Sequence, residues 1–197
     1  MTRLVVLASG GGTNLQAILD ACADGRLPAE VAAVVSNRAG SGALQRAADA
    51  GVPYVHLAPH AGEPRADFDA RLADVVSGFD PDWVVLAGWM RILSMSFLGW
   101  FPRMVVNLHP ALPGQLPGVD SIARAWREAQ QGQRDHTGVM IHLVPDEGID
   151  NGPVLATALV SIHPADSLES LTDRVHGVEH RLLVETLTTL CTTGANA

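Results

Sequence analysis

The sequence is poor in cysteine, and its basic residues form no cluster. Cys22 and Cys191 are the two cysteines in 197 residues. Neither has a CxxC partner or a histidine at metal-ligand spacing, so we predict free thiols and no metal site. Basic residues number 13 against 21 acidic ones, a formal net charge of −8. This balance argues against a nucleic-acid partner. Anionic small molecules remain possible ligands, because charges farther away than about 8 to 10 Å are screened.

Long apolar runs and targeting signals are also missing. Runs such as 83–87 are far shorter than the roughly 20 residues that a membrane-spanning helix needs. The chain enters a strand and a glycine turn directly, without the pattern of a signal peptide. We therefore expect a cytoplasmic protein with no membrane partner. With 47% hydrophobic residues, the chain has enough apolar side chains for one sizeable core, which predicts a single domain spanning 1–197.

Apolar runs rich in Val, Ile and Leu alternate with segments of helical periodicity. This alternation predicts an α/β fold, a doubly wound and mostly parallel seven-stranded sheet with helices on both faces. The predicted strands are 3–8, 31–36, 52–57, 83–87, 104–109, 138–144 and 153–162. The predicted helices are 13–24, 41–50, 64–78, 94–101, 120–131 and 166–191. Asp166 and Ser167 are candidate caps of the last helix.

The first predicted strand ends in three glycines, and Thr13-Asn14 then opens a helix. Glycines let backbone N–H groups approach a ligand closely, and a helix N-terminus adds unpaired donors, so this turn suits a phosphate. A dinucleotide site needs G-x-G-x-x-G and an acidic residue after the second strand. Here Leu15 takes the third glycine position and Ser36-Asn37-Arg38 ends the second strand, which disfavours a nicotinamide-dependent oxidoreductase. A purely structural turn stays an alternative.

A second candidate segment follows the apolar run 84–87, where Gly88 is succeeded by Trp89, Met90 and Arg91. Sheets of this class bind ligands beyond the carboxyl ends of their strands. Arg91, directly after so apolar a run, is therefore a candidate for binding an anion. Trp89 and Met90 are equally consistent with packing at the edge of the core.

Asn107 and His109 close another predicted strand. Side chains two residues apart on a strand point to the same side, so an amide that can donate to an oxyanion lies beside an imidazole that can move a proton. This combination suits acyl transfer, although N-x-H alone is also common at hydrogen-bonded strand ends. Asp150 could orient His109 and raise its pKa by favouring the imidazolium. The stretch Asp150-Asn151-Gly152 is also typical of a turn.

Five motifs occur in one order, namely SGGGTNLQA, LAGWMRILS, NLHPAL, DEGIDNGPV and VHGVEH. Together they resemble the folate-dependent glycinamide ribonucleotide formyltransferases from the first strand to the last helix. The resemblance implies that 10-formyltetrahydrofolate, as cosubstrate, gives its formyl group to the amine of glycinamide ribonucleotide in purine biosynthesis, without a metal. It implies a nucleotide-phosphate half at about 1–100 and a folate-binding, catalytic half at about 101–197. The partners are then small molecules, and the chain is a monomer or a homodimer.

The resemblance also implies roles for individual residues. Asn107, His109 and Asp150 would be catalytic. The ribonucleotide would be held by Gly11, Gly12, Thr13, Asn14, Met90 and Glu179. The folate would be held by Arg65, Arg91, Ile92, Leu93, Asn107 and Val144, with Arg65 meeting its glutamate tail.

Two departures from the family's pattern lie at the predicted site. Pro113 and Gly114 stand where the family has leucine and proline, which predicts a different backbone path for residues 111–118. Val139 and Met140 replace small hydroxyl residues, so polar groups that would support water near Asp150 are missing. Three other functions stay open: a 10-formyltetrahydrofolate hydrolase, a formyltransferase for another amine, and a non-catalytic module that binds nucleotide or folate.

Overall fold

In the part of the chain that the structure describes, seven strands form one sheet in the order β3-β2-β1-β4-β5-β6-β7. The computed structural model describes residues 1–193. Its strands are β1 (Thr2–Leu7), β2 (Ala29–Ser36), β3 (Tyr54–His56), β4 (Trp83–Leu86), β5 (Val105–His109), β6 (His136–Leu143) and β7 (Val154–Ser161). β1 to β5 pair in parallel, whereas β5 with β6 and β6 with β7 pair antiparallel. The predicted single-domain, mostly parallel seven-stranded sheet is confirmed.

Within residues 1–193 six helices connect or follow the strands, and each predicted helix is present. They are α1 (Thr13–Ala23), α2 (Gly42–Asp49), α3 (Arg65–Ser77), α4 (Met95–Leu98), α5 (Ser121–Gln130) and α6 (Leu168–Thr193). α4 is shorter than the predicted helix 94–101. After Leu98 the backbone bonds change, and Trp100 N donates to Phe97 O at 3.0 Å, a tighter turn that ends the α-helix before Pro102.

The sheet separates two apolar cores. Alternate residues of β1 face opposite sides: Leu4 belongs to a core that includes buried residues of α1, α2, α5 and α6. Val5 belongs to a core built with α3 and α4. Since helices cover both faces, the doubly wound prediction is confirmed, and strands buried on both sides explain the continuous apolar runs.

The N-terminus of α6 is capped as predicted. Ser167 Oγ accepts a hydrogen bond from Ser170 N at 3.1 Å, which satisfies one of the free N–H groups of the first turn. Asp166 Oδ1 accepts from Ser170 Oγ at 3.1 Å, and its carboxylate also pairs with Arg174. The cap fixes where α6 begins to cover the sheet.

β5 lies where the sheet changes from parallel to antiparallel pairing. His142 of β6 is directly opposite Asn107, and Met140 is directly opposite His109. Opposed residues project to the same face of a sheet, so these four side chains lie together at the carboxyl end of β5. Loop 144–153, which joins β6 to β7, and loop 111–118, which follows β5, also contribute to this region.

Both cysteines are free thiols, as predicted, with Cys22 half-buried and Cys191 buried. Burial raises the pKa of the Cys22 thiol to about 11 and also raises that of Cys191, so both are protonated near neutral pH. Within residues 1–193, no helix is both long and apolar enough to cross a membrane. In the same range, no three His, Cys, Asp or Glu side chains are grouped as a metal ion requires.

Candidate active site

The carboxyl ends of β1 and β4 are joined by hydrogen bonds between the loops that follow them. Ser9 N donates to Gly88 O at 3.0 Å, and Met90 N donates to Ser9 Oγ at 3.0 Å. Met90 itself is exposed. The glycine loop and the segment 88–94 therefore form one continuous rim at the edge of the sheet where ligands bind in this fold class.

The glycine loop has a conformation that only glycine suits. Gly12 has a φ of 74° and precedes α1 without a side-chain cap. A Cβ at Gly12 would lie 2.7 Å from Ala43 Cα, and one at Gly42 would lie 2.7 Å from Gly11 O. α2 thus packs directly against the loop, while Gly11 and Thr13 are exposed. Uncapped N–H groups at an exposed helix start can bind a phosphate.

Arg46 of α2 braces the same loop. Its Nε donates to Gly11 O at 2.9 Å, and its Nη1 donates to Gln16 Oε1 at 3.0 Å. A guanidinium therefore lies beside the glycine loop and adds positive charge there. The sequence alone does not single out Arg46, because an arginine on the polar face of a helix looks like ordinary surface.

Two residues assigned to the ribonucleotide meet although 165 positions separate them. Asn14 Nδ2 donates to Glu179 Oε2 at 3.0 Å, which joins α1 to α6. Burial raises the pKa of the Glu179 carboxyl, against the hydrogen bond from Asn14 and the charge of His176. Asn14 Oδ1 is buried without a partner among the described residues. The pair offers acceptor oxygens for ligand hydroxyl groups beside the glycine loop.

Asn107, His109 and Asp150 form one cluster. Asp150 Oδ2 lies 3.2 Å from His109 Nδ1, and Asn107 Nδ2 donates to Asp150 Oδ1 at 3.2 Å. Gly118 N donates to Asp150 Oδ2 at 2.8 Å. Burial would raise the pKa of the Asp150 carboxyl, but contacts with His142 and Gly118 and the neighbouring histidine charges bring it below its ordinary value. The carboxylate is therefore charged over the neutral range.

His142 is a fourth, buried member of this cluster. Its Nε2 lies 3.1 Å from Asn107 Nδ2 and 3.7 Å from Asp150 Oδ1. Its Nδ1 donates to Leu143 O at 2.9 Å, because a carbonyl can only accept. Nε2 is then the ring nitrogen that contacts Asn107 and Asp150, and this contact helps to orient the Asn107 amide. The sequence places His142 in a strand but gives no register that would bring it opposite Asn107.

His109 is 3% exposed, and acceptors face both of its ring nitrogens. Nε2 lies 3.3 Å from Gln115 O, and Nδ1 faces Asp150. Burial nevertheless lowers the pKa of His109 by more than Asp150 and Gln115 O raise it. Met140, fully buried and directly opposite on β6, adds to this apolar environment. The prediction of a raised pKa is wrong, because the carboxylate acts in the predicted direction but desolvation outweighs it.

The loop 111–118 follows a path that the family's proline could not take. Gly114 has a φ of 73°, whereas proline is restricted to about −65°. Leu112 packs over Gly138 so closely that a Cβ there would lie 2.4 Å from Leu112 Cδ2. The substitution of Pro113-Gly114 for leucine and proline is thus matched by a left-handed turn at position 114.

Side chains from outside this loop hold it in place. Arg134 Nη1 donates to Gln115 Oε1 at 2.9 Å, and Ser121 Oγ donates to Leu116 O at 3.0 Å. These contacts keep the Gln115 carbonyl on His109 and the Gly118 N–H on Asp150. Arg134 and Gln115 carry no motif, so the sequence does not reveal their connection to the cluster.

The residues assigned to the folate differ in exposure. Arg91 lies with its guanidinium carbon 4.7 Å from the centre of the Phe68 ring, a cation–π contact, and no anion accompanies it among residues 1–193. Ile92 is exposed, whereas Leu93 is buried in a core. Val144 is half-buried, and its N donates to Val105 O at 2.9 Å. Leu93 and Val144 therefore offer a ligand mainly backbone groups.

Arg65, assigned to the glutamate tail, is the first residue of α3 and is paired with a carboxylate of the chain itself. Its Nη2 binds Glu147 Oε2. The other oxygen, Glu147 Oε1, accepts from Met95 N at 3.1 Å. Glu147 lies on loop 144–153, which also carries Asp150.

Comparison with known proteins places these features in a family context. The model of the formyl transferase family matches residues 2–187. A phosphoribosylglycinamide formyltransferase from Schizosaccharomyces pombe is 42% identical over 199 residues, covering 95% of this chain and 96% of that protein. Another from Escherichia coli is 39% identical over 180 residues, covering 91% of this chain and 82% of that protein.

Solved structures show the same similarity. The crystal structure of phosphoribosylglycinamide formyltransferase from Bacillus halodurans aligns with a TM-score of 0.91 at 36% identity and covers 98% of this chain and 97% of its own. A glycinamide ribonucleotide transformylase from Symbiobacterium toebii aligns with a TM-score of 0.91 at 39% identity, covering 98% of this chain and 89% of its own.

Proposed function

The chain belongs to the formyl transferase family, and from this premise we propose that it is an enzyme that transfers the formyl group of 10-formyltetrahydrofolate to the amine of glycinamide ribonucleotide. The products are formylglycinamide ribonucleotide and tetrahydrofolate, and the reaction is a step of purine biosynthesis. The observation that carries the proposal is the cluster of Asn107, His109 and Asp150 on the same sheet edge as the glycine loop. The candidate anion-binding loop and the candidate acyl-transfer groups therefore lie along one edge of the sheet.

In the proposed reaction the amine nitrogen attacks the formyl carbon, and the formyl oxygen takes up negative charge. Asn107 and His109 would donate N–H groups to this oxyanion, for which Asn107 Nδ2 must turn one N–H away from Asp150 or His142. In the free protein burial lowers the pKa of His109, and the developing negative charge, together with Asp150, would favour the imidazolium. His109 Nε2 now faces Gln115 O at 3.3 Å, an acceptor that the formyl oxygen would replace. When the intermediate collapses, the bond to folate N10 breaks. The proton lost by the amine reaches N10 through water.

The ribonucleotide would lie along the first part of the rim. The N–H groups of Gly11 to Asn14 would bind its phosphate, with Arg46 behind them. Glu179, held by Asn14, would accept from the ribose hydroxyls. Met90 would line the groove between the two substrates, since its N–H is tied to Ser9 beside the glycine loop.

The folate would lie between segment 91–93, which follows β4 beside β5, and loop 144–153, which carries Asp150. Arg91, Ile92, Leu93, Val144 and Asn107 would contact its ring system and the formyl-bearing end, and Arg65 its tail. Residues proposed for each ligand lie on both sides of residue 100, so each of the two proposed halves would contribute to binding of both ligands.

The test is an assay of the purified protein with 10-formyltetrahydrofolate in the presence and absence of glycinamide ribonucleotide. Formylglycinamide ribonucleotide and tetrahydrofolate should form together, in equal amounts, only when both substrates are present. Release of formate at the same rate without the ribonucleotide would instead identify a hydrolase. Formylation of a different amine, with none of glycinamide ribonucleotide, would identify another acceptor.

A further inference from the structure

Glu147 is held as a bound carboxylate ligand would be held. The guanidinium of Arg65 binds one of its oxygens, and the N–H of Met95 donates to the other at 3.1 Å. A guanidinium together with a backbone N–H is a favourable arrangement for a carboxylate. The two side chains of the ion pair are 42% and 41% exposed, so an external carboxylate can reach the same donors.

The segments that carry the donor Met95 N and the carboxylate of Glu147 also carry exposed apolar side chains. Ile92, Met95 and Ile149 are all exposed. Met95 itself supplies the N–H, Ile92 precedes it by three residues, and Ile149 follows Glu147 by two. Exposed apolar side chains on the segments that hold a carboxylate are suited to a ligand with an apolar body and an acidic end. The folate proposed above, with an aromatic body and a glutamate tail, has this chemistry.

We propose that Glu147 is a specificity-determining residue, which occupies the donors of Arg65 and Met95 until the glutamate tail of the folate replaces it. This inference rests on the proposed function. In the exchange one carboxylate leaves Arg65 as another arrives, so the guanidinium always has a partner. A ligand without a carboxylate breaks no contact there and gains none. Glu147 therefore weakens binding of the tail-bearing folate alone and sets how strongly the site prefers it.

The central variant is Glu147→Gln, which keeps the shape and the acceptor for Met95 N but removes the charge that pairs with Arg65. Binding of two probes is measured by calorimetry on the full chain, tetrahydrofolate and tetrahydropteroate, which lacks the glutamate. Tetrahydrofolate should bind about two- to fivefold more tightly to the variant, the range for an exposed ion pair that no longer has to be broken. Binding of tetrahydropteroate should not change.

Asp146→Asn is the matched control. It removes one negative charge from the same loop, and the asparagine oxygen can still accept from Gly148 N, the contact that Asp146 Oδ1 makes at 2.8 Å. Neither probe should bind differently to this variant. If Asp146→Asn tightens tetrahydrofolate binding as much as Glu147→Gln does, the effect is one of net charge and the inference is overturned.

Arg65→Gln supplies the second arm of the test. It should remove the preference for tetrahydrofolate over tetrahydropteroate, and Glu147→Gln should then add nothing in the double variant. Unchanged or weaker tetrahydrofolate binding by Glu147→Gln, or an unchanged preference in Arg65→Gln, would overturn the inference. Formyl transfer by the wild-type protein is measured in parallel, because its absence refutes the proposed function, whereas its presence leaves that function standing whatever the binding results.

Discussion

The pKa of His109 depends on two opposing effects, which are burial of the ring and the negative charge of Asp150. Asp150 favours the imidazolium, and burial opposes it more strongly. Removing the carboxylate by Asp150→Asn should therefore lower the pKa of His109 still further. Titration of the His109 ring by NMR, with isotopically labelled histidine, measures the shift. A pKa that rises or stays constant would show that Asp150 does not act on His109 electrostatically.

His109→Ala should reduce kcat by about 10² to 10⁴, the usual contribution of acid–base and charge-stabilising groups. It should still unfold in one cooperative transition, since both apolar cores are formed by other side chains. The matched control is His163→Ala, an exposed histidine between β7 and α6, which should leave kcat unchanged. Equal rates for the two variants would remove His109 from the proposed machinery.

The lowered pKa of His109 also predicts how the stability of the protein varies with pH. The pKa of His109 is lower in the folded protein than the ordinary value of 6.5, so the unfolded chain binds more protons in this range. The free energy of unfolding should therefore fall as pH decreases from about 7 through the folded-state pKa. In His109→Gln this part of the slope should be smaller. Urea unfolding of both proteins at a series of pH values measures it, and identical slopes would contradict the assignment.

Among individual residues, the sequence indicated Asn107 and His109 through strand alternation and motif order, and Asp150 through motif order alone. It did not indicate His142, Gln115 or Arg46, whose positions depend on hairpin register, a left-handed turn and helix packing. The sign of the His109 pKa shift was also missed. Charge can be read from a sequence, whereas the depth of burial depends on which side chains lie opposite.

At the level of helices and turns, Gly12→Ala should lower the free energy of unfolding by roughly 1 to 3 kcal/mol. The new methyl group would meet Ala43 Cα at 2.7 Å, and the φ of 74° disfavours any side chain. Gly11→Ala is the control, since its Cβ would have nothing within 4 Å, and it should change stability by less than about 0.5 kcal/mol. Urea unfolding compares the two, and a similar loss in both would show that packing against α2 is unimportant.

Gly177 in α6 is a position where an alanine should raise the free energy of unfolding instead of lowering it. It is exposed, and a Cβ would meet nothing within 4 Å, so Gly177→Ala should stabilise the protein by about 0.5 to 1 kcal/mol. Gly25→Ala has equal space but a φ of 80° and should destabilise it instead. Melting temperatures of both variants test the pair. Lower stability of Gly177→Ala would mean that the helix is distorted at this position.

The hydrophobic pattern of the sequence predicted which segments are strands and which are helices, but it did not predict the order of the strands in the sheet. Continuous apolar runs identify strands buried on both faces, as in β1 and β4. Such a run does not show which strand pairs with it. The order β3-β2-β1-β4-β5-β6-β7 and the antiparallel pairing of β6 and β7 are therefore known only from the structure. The ends of elements also differed from the prediction. α4 ends at Leu98, and tighter turns follow it in place of the last predicted helical residues.

For the molecule as a whole, each substrate should raise the melting temperature separately. A ligand at about 100 times its dissociation constant adds roughly 2.7 kcal/mol to the free energy of unfolding. In a chain of this size that corresponds to a rise of about 5 to 10 °C. Glycinamide ribonucleotide and tetrahydrofolate should each produce such a rise in differential scanning fluorimetry. NAD should produce none, and stabilisation by NAD alone would revive the oxidoreductase alternative.

The hydrogen bond from Asn14 to Glu179 makes the proposed ribose end of the pocket depend on the last helix. α6 also covers the first core with Leu171 and Leu183. A single domain generally folds as one unit, so undocking of α6 would remove the Glu179 carboxylate and expose that core in the same event. Retention of the proposed ribonucleotide should therefore be coupled to the docking of α6.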